Sequence, residues 1–369
     1  MRGKTRAVVS EKVRHLEKKR DESKVPKAGK TWRVDQWLTH WLENIVAPPA
    51  ITDNAWDAYA YAVRKHLEPG IGAHRLDKLE PEHLERLYRK MTRAGASSGN
   101  AHAVHRTVRA ALNEALRRRH ITENPATLAR APKVEEKEVE PYSVDEIQSI
   151  LKTAAERRNH ARWAIALALG LRQGEVLGLQ WADIDLEAAT LLVRRNRLRP
   201  KWKHGCDQPC GHKHAGHCPH RVSARPETAE TKSKAGRRGM GLPEEIVSLL
   251  KQHRGEQEQE HLKAGNLWRE SDFVFTTERG EPLNPRTDQA EWKRLLEQAG
   301  VAERRLHDAR HTAATVLLLL GVPERTVMGI MGWSNTAMAA RYQHITSTIR
   351  QDVATQVDDL LWKPSDRDG

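Results

Sequence analysis

The order of apolar and polar positions predicts a helical block in the first third of the chain. From Thr31 onward, apolar side chains recur every three or four residues, a spacing that places them on one face of an α-helix. Prolines interrupt helices, and the segments "APP" at 47–49 and "NPA" at 124–126 bound this block. Residues 29–129 are therefore expected to form a small domain of about four helices. The first apolar face comprises Val34, Trp37, Leu38, Trp41, Leu42 and Ile45, and further helical periods lie at about 54–67, 81–91 and 99–119.

A second block with mixed patterns begins after residues 130–142, a charged stretch with two prolines that is predicted to be a linker. Ser143 and Glu146 stand three residues apart, the signature of a helix N-terminus. The expected fold class is mainly α with a small β-sheet or hairpin: the helical domain is followed by a mixed α+β domain over 143–350. Strands are predicted at 189–196 and as two pieces around a small-residue turn in 227–243. Helices are predicted at 160–170, at 172–181 and in four stretches between 243 and 346, interrupted by 272–277.

The two ends of the chain differ from both blocks. Residues 1–28 are mostly charged, carry a helical apolar period, and end in a break at "KVPKAGK". We expect a basic N-terminal segment there. Residues 351–369 form a tail with an apolar stripe, which either docks onto a neighbouring subunit or packs against its own domain. The N-terminal period comprises Val9, Val13 and Leu16, and the tail stripe comprises Val353, Val357, Leu360 and Leu361.

The net positive charge of the chain indicates which kind of partner it binds. The chain of 369 residues carries a net charge of +13 and has a pI near 9.7. Such an excess of cations favours a polyanionic partner, most often nucleic acid, although basic proteins indifferent to DNA exist. No apolar run approaches the roughly 18 residues of a membrane span, and the charged N-terminus lacks the apolar core of a signal peptide. A cytoplasmic protein with no membrane partner is expected.

Three separate segments carry candidate chemistry. The stretch "GLRQGEVLGLQWADID" places Arg172 at the start of a helix, and "LHDARHT" places His307 and Arg310 three residues apart on one helical face. A guanidinium offers a planar fork of donors suited to a phosphate group. Near the C-terminus, "MGWSNTAMAARYQHI" contains Tyr342, one of only five tyrosines in the chain. Each segment alone has an ordinary structural explanation.

Taken in order with "TKSKAGRR", these segments resemble the catalytic domain of the tyrosine recombinases, the phage integrase family. The helical block 29–129 resembles the core-binding DNA-binding domain of that family, and residues 1–28 resemble only the helix of its N-terminal arm-binding domain. The resemblance implies catalytic roles for Arg172, Lys232, His307, Arg310, Trp333 and Tyr342. Tyr342 would be the nucleophile, and Lys232 the lysine of a β-hairpin turn, with Lys234 as its nearest competitor. Trp333 stands where most members carry histidine.

Four of these residues also have a structural alternative. Arg172 could form a buried salt bridge with Glu175 or another acidic residue, and His307 could be an ordinary polar residue at a helix N-terminus. Lys232 could be a surface lysine of the hairpin, and Trp333 could only pack between helices. An indole N–H can donate to a phosphate oxygen, but unlike imidazole it cannot shuttle a proton.

The resemblance implies a site-specific DNA recombinase, most simply an integrase of a phage or integrative element, that cleaves and rejoins DNA through a covalent 3′-phosphotyrosine. Because that bond conserves the energy of the broken phosphodiester, religation needs neither ATP nor a metal cofactor. The implied partners are double-stranded DNA attachment sites, a homotetramer in the synaptic complex, and accessory DNA-bending or directionality proteins, in the cytoplasm of a bacterial host. A non-catalytic DNA-binding protein and a relaxing topoisomerase of the related IB kind are the alternatives.

A cysteine- and histidine-rich insertion at 202–222 needs a separate explanation. Its thiolates and imidazoles at short spacing suit a tetrahedral structural zinc ion, although the spacing matches no standard zinc finger. The three cysteines would need one histidine as the fourth ligand, and the sequence leaves that histidine open. A basic loop that contacts DNA and a redox role are the alternatives. The cysteines are Cys206, Cys210 and Cys218, and the histidines within 204–220 are His204, His212, His214, His217 and His220.

Overall fold

The computed structural model describes residues 6–21, 31–134, 141–231 and 236–333. The contacts between residues divide the chain into two compact units, Met1–Lys137 and Glu138–Gly369. The prediction of a mainly helical protein with a small β-sheet or hairpin is confirmed, and the sheets observed are antiparallel. Among the described residues, no helix is both long and apolar enough to cross a lipid bilayer.

Within its described residues, the first unit consists of helices and their connections, with an isolated β-bridge between Arg33 and Arg75. The face predicted from Val34 to Leu42 is buried, and the indole N–H of Trp37 donates a 3.0 Å hydrogen bond to the carbonyl of Ala111. The helices between residues 34 and 129 pack around this face and around the apolar side of the long helix that contains Ala111. The α-helices of this unit are α1 (Arg6–Asp21), α2 (Val34–Asn44), α3 (Asp53–Ala62), α4 (Glu68–Ile71), α5 (Pro81–Arg93), α6 (Ser98–Arg117) and α7 (Pro125–Leu128), with a π-helical turn at Val63–Leu67 between α3 and α4.

The second unit begins with the predicted helix cap. The Ser143 hydroxyl accepts a hydrogen bond from the Glu146 N–H, and the Glu146 carboxylate accepts one from the Ser143 N–H. Tyr142, at the end of the predicted linker, is buried in the core of this unit, and its N–H donates to the Thr312 hydroxyl. The helices are α8 (Val144–Ala155), α9 (Ala161–Leu169), α10 (Gln173–Leu177), α11 (Glu244–Ala264), α12 (Pro285–Gln298), α13 (Leu306–Leu319) and α14 (Glu324–Met331).

Three small antiparallel sheets accompany these helices. The largest has the order β1-β2-β7, and its strands β2 and β7 pair from Thr190 opposite Gly241 to Val193 opposite Arg238. Strands β3 and β6 form a second pair, and β4 and β5 form a third within the cysteine-rich insertion. The strands are β1 (Ile184–Asp185), β2 (Thr190–Val193), β3 (Arg195–Arg197), β4 (Trp202–Lys203), β5 (Val222–Ser223), β6 (Thr228–Glu230) and β7 (Arg238–Gly241).

Helix α10 is shorter than the helix predicted at 172–181. It ends at Leu177 because the chain then turns to pair with the segment predicted to interrupt the helices. The N–H of Trp181 donates to the carbonyl of Asp272, and the N–H of Val274 donates to the carbonyl of Leu179. These two bonds hold the chain that follows α10 against the core of the second unit.

Candidate active site

Arg172 lies at the N-terminus of α10 and is bound by one carboxylate. Its backbone N–H and its Nη1 donate to the two oxygens of Glu175, at 2.9 and 2.7 Å. Glu175 is only 1% exposed, whereas the Arg172 side chain is 38% exposed. The predicted alternative of a salt bridge with Glu175 is therefore present, but it leaves the arginine at the surface. The contact orients the guanidinium without removing it from solvent.

Glu175 also binds a second arginine that the sequence analysis did not single out. Arg238, at the start of β7, donates from Nη2 and Nη1 to the two Glu175 oxygens at 2.9 and 3.2 Å. Burial by itself raises the pKa of Glu175, but the bonds and charge of Arg238, together with Arg172, outweigh it and hold the pKa below its usual range. The carboxylate is therefore ionised at neutral pH. Arg238 is the last residue of the segment "TKSKAGRR", but the motif alone does not indicate its role, because that role depends on strand pairing.

Arg310 is buried and is fixed by backbone carbonyls. Its Nη1 donates to the carbonyl of Gly170 at 2.6 Å, and its Nη2 donates to the carbonyl of Met331. Gly170 ends α9 with a positive φ of 64°, a conformation that favours glycine, and Arg172 follows two residues later. The turn at residues 170–172 therefore contains both Arg172 and the carbonyl that accepts a hydrogen bond from Arg310.

His307 lies one helical turn before Arg310, on α13, and is exposed to solvent. The pKa of His307 is below its usual range, first because neighbouring protein atoms partly desolvate the ring, and then because of positive charge from His311, Arg310 and Arg172. His307 is one helical turn from Arg310, and Arg310 binds the carbonyl of Gly170, two residues before Arg172, so the structure places these three predicted residues near one another. A histidine with a lowered pKa is neutral near pH 7 and can accept a proton.

Of the remaining predicted residues, the structure describes Trp333 only. Trp333 is buried against α13 and α14, and the Arg310 guanidinium carbon lies 5.9 Å from the centre of its indole ring. The packing expected for Trp333 is therefore present, and its ring also lies near the Arg310 guanidinium. Lys232, Lys234, Tyr342 and the tail 351–369 lie outside the described residues. Their roles stay predictions.

A buried polar network supports the residue next to Arg172. The Gln173 amide donates to the Asp288 carboxylate at 2.7 Å and to the carbonyl of Pro285. The other Asp288 oxygen accepts from Arg162 Nε at 2.7 Å, and both side chains of this ion pair are 2% exposed. Helix α10 is thus pinned to α9 and α12, which limits how far Arg172 can move.

Comparison of the sequence with known proteins finds similar integrases and recombinases. Residues 141–348 match the phage integrase family, and residues 34–92 match the N-terminal SAM-like domain of phage integrases. An integrase of Saccharopolyspora erythraea is 44% identical over 96% of this chain and 88% of its own length. A protein of Caldanaerobacter subterraneus described as tyrosine recombinase XerC-like is 32% identical over 75% of this chain and 70% of its own length.

Solved structures show the same fold. The Tn1549 transposon integrase in complex with a circular intermediate DNA has a TM-score of 0.65 at 18% identity, over 85% of this chain and 95% of that one. A lambda integrase tetramer bound to a Holliday junction has a TM-score of 0.60 at 17% identity, over 85% of this chain and 78% of that one. Fold and site together define a tyrosine-type site-specific recombinase. The chain belongs to the phage integrase family.

Proposed function

We propose that this recombinase cuts and rejoins duplex DNA through a covalent 3′-phosphotyrosine on Tyr342, and that it thereby integrates or excises mobile DNA. The observation that carries the proposal is the grouping of Arg172, His307 and Arg310, two anchored guanidinium groups around an imidazole with a lowered pKa. This arrangement suits a phosphodiester, whose charge otherwise repels a nucleophile.

The arginines bind the two non-bridging oxygens of the scissile phosphate and stabilise the charge that develops in the transition state. The Tyr342 oxygen attacks phosphorus, and His307 accepts the phenolic proton. The bond to the 5′ oxygen breaks, and that oxygen takes a proton from Lys232. Attack by a 5′ hydroxyl on the phosphotyrosine reverses each transfer. No metal and no nucleotide are consumed.

The proposed role of Trp333 is to support Arg310 and to donate its indole N–H to a phosphate oxygen. The contact with the Arg310 guanidinium supports the first part of this role. Because the indole N–H is only a hydrogen-bond donor and does not titrate near neutral pH, acid–base catalysis rests on His307 and Lys232. Substitution of Trp333 by phenylalanine should therefore weaken the reaction without changing its pH dependence.

The proposed partners are double-stranded attachment sites and further copies of this chain. The net charge of +13 supports binding to phosphates, which makes affinity fall as salt rises. The lambda integrase that shares this fold was solved as a tetramer on a Holliday junction, which supports a homotetramer in the synaptic complex of this chain. Accessory DNA-bending or directionality proteins would complete the complex in the cytoplasm of a bacterial host.

The test is covalent trapping on nicked duplexes that carry the attachment DNA of the element, in EDTA and without ATP. Wild type and the Tyr61→Phe control, which alters an exposed tyrosine of the first unit, should form a protein–DNA adduct that survives denaturation. The Tyr342→Phe variant should bind the same DNA and form none. An adduct in Tyr342→Phe would refute the assignment of the nucleophile. Tight binding by wild type without any adduct would support a non-catalytic DNA-binding protein instead.

A further inference from the structure

The cysteine-rich insertion is a hairpin that leaves the second unit at β3 and returns at β6. Its base is closed by the Leu198 N–H, which donates to the carbonyl of Glu227, and by the Ala224 N–H, which donates to the carbonyl of Lys201, both at 2.8 Å. Beyond this base, β4 and β5 pair, and a short 3₁₀ turn at Ala215–His217 lies near the tip. Backbone hydrogen bonds therefore join the two sides of the hairpin at its base and along β4 and β5.

This hairpin has almost no apolar core. Residues 199–225 are all described, and Cys218, at 2% exposure, is the only buried residue among them. The large apolar side chains Trp202 and Val222 are 38% and 42% exposed. A segment of this size without buried apolar surface needs another source of folding free energy, such as a disulfide or a metal.

Four side chains converge at the centre of the hairpin. One ligand atom from each of His204, Cys206, Cys210 and Cys218 lies within 4.8 Å of the others. The Sγ atoms of Cys206 and Cys218 are 3.7 Å apart, and Cys210 Sγ lies 3.4 Å from His204 Nδ1. With Zn–S bonds of about 2.3 Å and Zn–N bonds of about 2.0 Å, a tetrahedron places two sulfurs about 3.8 Å apart and a sulfur and a nitrogen about 3.5 Å apart. Both separations are close to these tetrahedral edges.

The backbone around these four side chains allows the two sides of the hairpin to lie close together. Gly205 lies between two of the four residues, and a Cβ there would come within 2.4 Å of the carbonyl of His220. Arg221 donates from Nη1 to the carbonyl of Gly216 at 2.7 Å, and its guanidinium carbon lies 4.7 Å from the centre of the Trp202 ring. The two sides of the hairpin are therefore held close together around the four side chains.

We propose that His204, Cys206, Cys210 and Cys218 bind one structural Zn²⁺ ion. Three thiolates and one imidazole complete a closed tetrahedral site with no position for water, which is typical of structural rather than catalytic zinc. Binding displaces the thiol protons and ties the folding of the hairpin to the metal. The structure thereby selects His204 from the five histidines of the insertion.

The first experiment measures zinc in the purified full-length chain after incubation with zinc chloride and desalting. Wild type and the control His212→Ala, which alters an exposed histidine outside the cluster, should retain about one zinc ion per chain. Cys210→Ser should retain little, and His204→Ala should lose zinc to a competing chelator at least about tenfold more readily. Wild type without stoichiometric zinc, or equal loss in His212→Ala, would overturn the proposal.

A second experiment uses Co²⁺ as the probe and counts thiols. Addition of Co²⁺ to the chelator-treated chain should give the intense visible absorption of a tetrahedral thiolate site in wild type and His212→Ala, and not in Cys210→Ser. Three thiols should become reactive when the zinc is removed. A single reactive thiol would instead indicate a disulfide between Cys206 and Cys218 and would contradict the proposal. Neither readout depends on DNA cleavage, so the zinc site and the recombinase chemistry are tested separately.

Discussion

Arg238 and Glu175 form a buried ion pair with two hydrogen bonds, and the same carboxylate orients Arg172. Arg238 also donates from Nε to the carbonyl of Ile330 at 2.6 Å, so it reaches α14 as well. Arg238 lies at the start of β7, six residues after Lys232 in the sequence. One guanidinium therefore links α10, which begins beside Arg172, to β7 and α14. We expect Arg238 to act as a positioning residue.

Glu175→Gln is expected to slow adduct formation by roughly ten- to a hundredfold while the affinity for DNA changes less. The amide retains the shape of glutamate but loses the charge that holds Arg172. Glu175→Ala should lower the free energy of unfolding by about 3–5 kcal/mol, because it leaves Arg238 buried without its carboxylate. Denaturant titrations and trapping kinetics measure the two effects.

The matched control for Glu175 is Glu187→Gln, at an exposed position near the β1–β2 turn. It should change neither stability nor trapping rate. If Glu175→Gln reacted at the wild-type rate while remaining folded, Arg172 would not need the carboxylate, and the positioning role assigned to Glu175 would be wrong.

Gly170→Ala should impair both stability and trapping. The left-handed backbone alone costs an alanine about 1–2 kcal/mol, and the new Cβ would lie 2.6 Å from the Met331 methyl carbon and 3.1 Å from Ala313 Cβ. Gly300 also has a positive φ, 68°, but its Cβ would meet nothing within 4 Å. Gly300→Ala is therefore the control for backbone strain alone. Equal effects of the two substitutions would show that the packing around Gly170 does not matter.

His311→Asn should move the acidic limb of the pH–rate profile of trapping to higher pH. The positive charge of His311 lowers the pKa of His307 in the folded protein. Removal of that charge raises the pKa, so His307 becomes protonated, and unable to accept the tyrosine proton, at a higher pH than in wild type. His307→Asn should abolish this limb. An unchanged midpoint in His311→Asn would argue against His307 as the group that titrates.

The lysine that protonates the leaving oxygen can be identified with a substrate whose bridging 5′ oxygen is replaced by sulfur. A thiolate leaves without protonation, because the pKa of a thiol lies far below that of an alcohol. Lys232→Ala should slow cleavage of normal DNA by about 10²–10⁴-fold. On the sulfur substrate, the cleavage rate of this variant should return to that of wild type. Lys234→Ala should resemble wild type on both. The reverse pattern would assign the role to Lys234.

The sequence predicted the elements that depend on local pattern. The apolar face from Val34 to Leu42 and the Ser143–Glu146 cap follow from spacing alone, and both are present. The predicted helix at 172–181 was too long, because its end is set by bonds to residues about 90 positions away. Arg238 and the choice of His204 depend on strand pairing and on a hairpin path. No one-dimensional spacing encodes either of them.

The insertion leaves and re-enters the second unit at neighbouring points, Leu198 and Glu227. Because its two ends are already bridged by a backbone hydrogen bond, the connection could shrink to a tight turn, or grow, without displacing β3 or β6. The hairpin therefore behaves as a replaceable appendage. A reporter dye, an affinity tag or a different recognition loop could be grafted there while Arg172, His307 and Arg310 keep their places.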